Sequence, residues 1–178
     1  MKNQYKQQTR VAVVGEGSEH IFNLTLSTLD FLGKTIDAVK FDETISHNQN
    51  DFVLLALDKN NDNICSLEPT IAVVTDYSEH YPDFLNSITS GGIVIYNQEN
   101  EKLTKAIQSA EKYFRKIPFT TPDHQENGEM ISLETDLGLI SIKSSTQNAQ
   151  YIEATRLLCQ QLGIQEEEFY EALLHFAS

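Results

Sequence analysis

The stretch Val11-Ala-Val-Val-Gly-Glu-Gly-Ser-Glu-His20 decides the fold. A short apolar, β-branched run ends at Gly15, and from Ile21 to Leu32 apolar residues return at helical spacing. Strand, tight glycine turn and helix is the arrangement in which backbone N–H groups converge on an anion at a helix N-terminus. The side chains do not follow the backbone. Where a phosphate-binding loop carries its lysine the chain has Glu19, and the Ser/Thr position after it holds His20.

Outward from that stretch, further apolar runs occur at Ile36–Phe41, Phe52–Leu57, Ile71–Thr75 and Ile93–Tyr96. They are short, rich in β-branched residues and not strictly alternating, as strands covered on both faces should be. Helical patterns separate several of them: Ile21 to Leu32, a short one near Asp83–Thr89, and Glu101 to Lys116, where Leu103, Ile107, Ala110 and Phe114 recur. This alternation predicts a doubly wound α/β domain with a mainly parallel sheet and a P-loop-like strand-turn-helix at its start. Thr121 to Gly128 reads as a surface loop. Met130–Glu134 and Leu139–Lys143 alternate around Thr135-Asp136-Leu137-Gly138 and predict an antiparallel hairpin. Two C-terminal helices follow, one over about Asn148 to Leu162 and stopping at Gly163, the other beginning near Gln165 with Glu166, Glu167 and Glu168 at its positive end.

The 178 residues, 40% of them hydrophobic, suit one buried domain over residues 10–178, with a polar stretch at 1–9 expected to be disordered or extended. No apolar run approaches the roughly 18 residues of a membrane span, and Met1-Lys-Asn-Gln-Tyr-Lys-Gln-Gln has no secretory core, so the expectation is a cytoplasmic protein with no membrane contact. Twenty-six acidic against 13 basic residues give a net charge of −13, which opposes nucleic acid as a partner. Cys65 and Cys159 stand apart in apolar contexts and read as free thiols.

Several motifs carry a resemblance. Pro69-Thr-Ile-Ala-Val-Val-Thr75 followed by Glu79-His80, then Ser90-Gly-Gly-Ile-Val-Ile-Tyr-Asn97, and Gln147-Asn148 leading through Leu162-Gly-Ile164 to Glu166–Phe176 resemble the central, ATP-binding domain of the Mur ligase family. The likeness runs over residues 10 to 177 and is strongest to the alanine-adding ligase and the murein-peptide ligase. Enzymes of the family join amino acids to UDP-N-acetylmuramate precursors of peptidoglycan with ATP, which implies an acyl-phosphate route for any ligase activity here. They also carry N- and C-terminal domains for the UDP-sugar and the amino acid, and the expectation here is a central domain lacking both.

The resemblance places a nucleotide phosphate at Gly15, Gly17 and Ser18, a further nucleotide contact at Asn148, and metal at Glu79 and His80. The functional positions nonetheless depart from the family. Its loop Gly-Thr-x-Gly-Lys-Thr-Thr aligns with Gly15 to Ile21, and its magnesium glutamate with Ala56, leaving Asp58 as the nearest carboxylate. Glu79 replaces an aspartate, Gln147 a histidine and Tyr151 an asparagine. Two unit charges 4 Å apart interact by about 4 kcal/mol at an effective dielectric of 20, so exchanging lysine for Glu19 is a swing of roughly 8 kcal/mol before relaxation. Losing the hydroxyl at His20 removes a magnesium ligand as well.

Two functional readings stand open. The leading one is a degenerate, non-catalytic Mur-ligase-like domain that binds a protein or small-molecule partner, with no cofactor expected and a homodimer or another protein as partner. The alternative is an ATP- and magnesium-dependent amide ligase or ligase subunit in peptidoglycan-precursor metabolism. A backbone anion site at the helix N-terminus needs no lysine, but Glu16 and Glu19 oppose it. The run Asp58 to Asn63 lacks the glycine and terminal glutamate of an EF-hand, and His47, His124 and His175 show no ligand spacing.

Overall fold

The strand read from Val11–Val14 is β1 (Thr9–Val14), and it lies in the interior of a seven-stranded sheet. A computed structural model describes residues 5, 7–41, 43–47, 50–57, 64–128, 130–143 and 146–177, the side chains of 146–148 and 177 excepted. The other strands are β2 (Asp37–Lys40), β3 (Glu43–Ser46), β4 (Phe52–Leu57), β5 (Ile71–Val74), β6 (Ile93–Asn97) and β7 (Arg115–Phe119), in the order β3-β2-β4-β1-β5-β6-β7. Every pairing is parallel except that of β3 with β2. The helices are α1 (Ser18–Phe31), α2 (Tyr81–Ser87), α3 (Glu101–Ser109), α4 (Thr146–Gln161) and α5 (Glu166–Ala177).

Burial on both faces explains the continuous apolar strands. Val11 and Val13 point into a core shared with α1, α4 and α5, whereas Ala12 and Val14 point into a second core under α2 and α3. A smaller antiparallel sheet, β10-β9-β8, is built from β8 (His124–Asn127), β9 (Met130–Thr135) and β10 (Gly138–Lys143). It contributes Ile131, Leu133 and Ile142 to the first core. This is the doubly wound α/β architecture with its antiparallel hairpin and two terminal helices. Among the described residues no helix is long and apolar enough to cross a membrane.

Three readings need correction. The helix expected over Glu101 to Lys116 stops at Ser109, and Arg115–Phe119 is instead an edge strand paired with β6. Phe114 keeps the helical spacing but reaches the core from a turn, where Gly91 N–H donates to the Tyr113 carbonyl and Arg115 N–H to that of Gly92. Sheet pairing overrides local propensity there, and Pro118 is tolerated because the strand is at an edge. The loop expected at Thr121 to Gly128 contains β8, which makes the hairpin three-stranded. The short helix near Asp83–Thr89 is placed two residues earlier, with Pro82 in its first turn.

Packing begins ahead of β1. Tyr5 is buried, and Gln8 Nε2 donates to Asp37 Oδ2 at 2.8 Å and to the Asn50 carbonyl at 2.6 Å. Cys65 and Cys159 are free, and burial pushes the Cys159 thiol up to about 12.

Candidate functional site

At the C-terminal edge of the sheet β1 ends in Gly15, between β4 and β5, where open α/β sheets form their binding crevice. The backbone turns sharply there: Ser18 N–H donates to the Gly15 carbonyl at 3.2 Å, and Ile21 N–H to that of Gly17 at 3.0 Å. Gly15 has φ of 104° and Gly17, the N-cap of α1, has φ of 74°. Both need glycine for space as well as conformation. A Cβ at Gly15 would stand 2.4 Å from Thr75 Oγ1 and 2.5 Å from Asp76 Oδ1. One at Gly17 would stand 2.2 Å from the Tyr151 ring.

Thr75, at the end of β5, fastens the turn. Its hydroxyl donates to the Glu16 carbonyl at 2.7 Å, and its N–H to that of Val14 at 3.2 Å. Asp76 accepts from the Tyr81 hydroxyl at 3.2 Å, and so joins the turn to α2. Lys40, at the end of β2, pairs with Glu19 at 3.0 Å.

An open cleft of about 550 Å³ lies over this turn, walled by Glu16, Gly17, Glu19, His20, Asn23, Gln150 and Tyr151. Burial lowers the His20 pKa below its ordinary 6.5, so the imidazole is neutral at pH 7. Burial, with the Glu16 and Asp76 carboxylates behind it, raises that of the Tyr151 phenol. The charged side chains in the wall are therefore the two glutamates.

The structure brings Gly15, Gly17 and Ser18 together at this turn. Asn148 falls in the first turn of α4, three residues before Tyr151 in the cleft wall, and its side chain lies outside the described set, as does that of Gln147. Glu79 and His80 are exposed in the turn before α2. Glu79 lines a separate groove with Tyr77, Lys102 and Lys105. Among the described residues no group of three His, Cys, Asp or Glu side chains could hold a metal ion. Ala56 is buried within β4 beside Val13, and Asp58 lies outside the described residues.

The remaining histidines have local roles. His47 Nδ1 is 3.3 Å from the buried Asp37 carboxylate, His124 Nδ1 is 2.9 Å from the Pro122 carbonyl, and His175 stacks on Phe31. Sequence reasoning did not find Lys40, which comes from another strand. Asp76 it could have found, because that residue directly follows the Thr75 motif.

No protein-family model and no curated protein matches the sequence. The fold, by contrast, is that of the Mur ligases. The UDP-N-acetylmuramoylalanyl-D-glutamyl-2,6-diaminopimelate–D-alanyl-D-alanyl ligase of Acinetobacter baumannii superposes with a TM-score of 0.71 at 14% identity, over 97% of this chain and 47% of that one. The UDP-N-acetylmuramate:L-alanyl-gamma-D-glutamyl-meso-diaminopimelate ligase of Neisseria meningitides gives 0.69 at 11% identity, over 97% and 67%. The MurF ligase of Thermotoga maritima, in complex with ADP, gives 0.68 at 13% identity, over 94% and 48%. The chain spans about half the length of several of the solved structures it matches, and the architecture it shares with them is that of a Mur ligase central domain.

Proposed function

We propose that this chain is a degenerate Mur-ligase-like domain that binds a protein or small-molecule partner and does not carry out ATP-dependent ligation. One observation carries the reading: the charged side chains walling the cleft at the Gly15 turn are Glu16 and Glu19, and the His20 beside them in the wall is neutral. A triphosphate entering there meets carboxylates where a phosphate loop offers lysine, and the backbone donors alone do not offset that repulsion. Where the partner is a protein it is a second copy of the chain or another polypeptide, and sedimentation equilibrium at micromolar concentration shows whether the chain pairs with itself. A cytoplasmic location goes with this reading, as does the absence of ATP and magnesium as cofactors.

A second reading, an ATP-dependent amide ligase or ligase subunit in peptidoglycan-precursor metabolism, is favoured by Lys40. Its ammonium lies 3.0 Å from Glu19, and a turn of that side chain from Glu19 to a phosphate would restore a cation to the loop. In this reading Gly15, Gly17, Ser18 and Asn148 hold nucleotide and Glu79 or His80 holds magnesium. Isothermal titration with Mg-ATP decides between them. No saturable heat at millimolar nucleotide is expected, whereas micromolar affinity abolished by Gly15 or Lys40 substitutions would establish the ligase reading instead.

A further inference from the structure

We propose that Tyr151 is an internal occupant of the Gly15–Glu19 turn, its ring filling the space over Gly17 so that a ligand reaching the loop backbone there must first displace it. The inference rests on the reading that the folded chain holds no nucleotide at this loop, and it gives that exclusion a steric cause beside the electrostatic one.

The contact is specific to this glycine. Of the seven glycines at positive φ, Gly33, Gly91, Gly128, Gly138 and Gly163 have nothing within 4 Å of an added Cβ. At Gly17 that Cβ would lie 2.2 Å from two ring carbons of Tyr151 and 2.7 Å from a third. Gly17 therefore lacks a side chain where the ring sits, and the ring sits where a glycine leaves room. The partners are far apart in sequence and belong to different elements: Gly17 caps α1, and Tyr151 lies in the second turn of α4.

The ring is also held from behind. Tyr151 is 8% exposed, and Ala149, Ile152 and Ala154 on either side of it are buried in the same core. The His20 ring is a neighbour, its centroid 6.1 Å away and its plane tilted by 45°. Opening the loop thus requires the Tyr151 side chain to rotate out of a packed position or the start of α4 to move. Gly17, which the resemblance sets against a phosphate, leaves room for the Tyr151 ring in this structure.

The test is isothermal titration of Mg-pyrophosphate into wild type, into Glu16→Gln/Glu19→Gln, and into the triple variant that adds Tyr151→Ala, each first checked for folding by circular dichroism. Wild type is expected to show no binding, and the triple variant to bind at least tenfold more tightly than the double. Equal behaviour of double and triple variants overturns the occupant role and leaves the reading of the function intact. Binding by wild type overturns that reading and the occupant role together. Tyr151→Leu replaces the alanine variant if the latter does not fold. A ligand-free check is a double-mutant cycle, because Gly17→Ala should destabilise wild type more than it destabilises the Tyr151 variant. Equal costs would remove the contact from the account.

Discussion

Lys40 Nζ stands 3.0 Å from Glu19 Oε1, so the carboxylate in the first turn of α1 is paired by a lysine two strands away from β1 in the sheet. The Glu19 side chain is 57% exposed, and an ion pair so solvated contributes under about 1 kcal/mol. Glu19→Gln is expected to change urea stability by less than that. It should not create Mg-ATP binding, since Glu16 and the Tyr151 ring remain in the wall. Micromolar Mg-ATP affinity in this variant would show that the pair had been masking a working cation.

Gly15 and Gly91 form a natural pair, because both have positive φ but only Gly15 is crowded. Alanine at Gly91 meets open space and should cost about 1–2 kcal/mol for the left-handed backbone. Alanine at Gly15 adds a clash with Thr75 and Asp76 and should cost at least twice as much. Chemical denaturation of the two variants gives the comparison, and equal losses would show that the turn can relax away from β5.

Asp37 is fully buried and binds three segments at once. It accepts from Gln8 Nε2 and Asn50 Nδ2, each at 2.8 Å, and lies 3.3 Å from His47 Nδ1. Truncation to alanine removes the acceptor that Gln8 and Asn50 share in a part-buried position, which costs roughly 2–3 kcal/mol. Asp37→Asn retains an acceptor and should recover part of the loss. A thermal melt that did not separate wild type from Asp37→Ala would contradict this anchoring role.

His20 makes a pH prediction. Burial holds its folded pKa below 6.5, so between those two values the unfolded chain carries more protons than the folded one. Stability contributed by the neutral imidazole is therefore intact above about pH 6.5 and falls as the pH drops through that value. Relative to His20→Gln, wild type should lose stability between pH 7.5 and pH 5. Parallel urea curves for the two proteins across that range would refute it.

Strands buried on both faces were legible because each left an unbroken apolar run, as in Val11–Val14 and Phe52–Leu57. Glu43–Ser46 and His124–Asn127 were not, since they are short, largely exposed and polar, and owe their extended form to the neighbour they pair with. Phe114 misled because a core residue entering from a turn can keep helical spacing by coincidence. The Gly15, Gly17 and Ser18 turn is local and could be read directly. What surrounds it comes from elsewhere: Lys40 from β2 and Tyr151 from α4 are brought in by topology, which no local pattern encodes.

β1 is flanked along its length, with six residues in register against β4 and four against β5. Its amide protons should be among the last to exchange with deuterated water, released only when the whole domain opens. The Gly15 turn hangs from the end of that strand and is pinned by Thr75 from the next one. Its backbone shape thus has the lifetime of the entire fold, independent of the side chains it carries. Side chains such as those of Glu19 and His20 ride on this frame without setting its shape, so the outline of the loop and the chemistry displayed on it are separable properties of the chain.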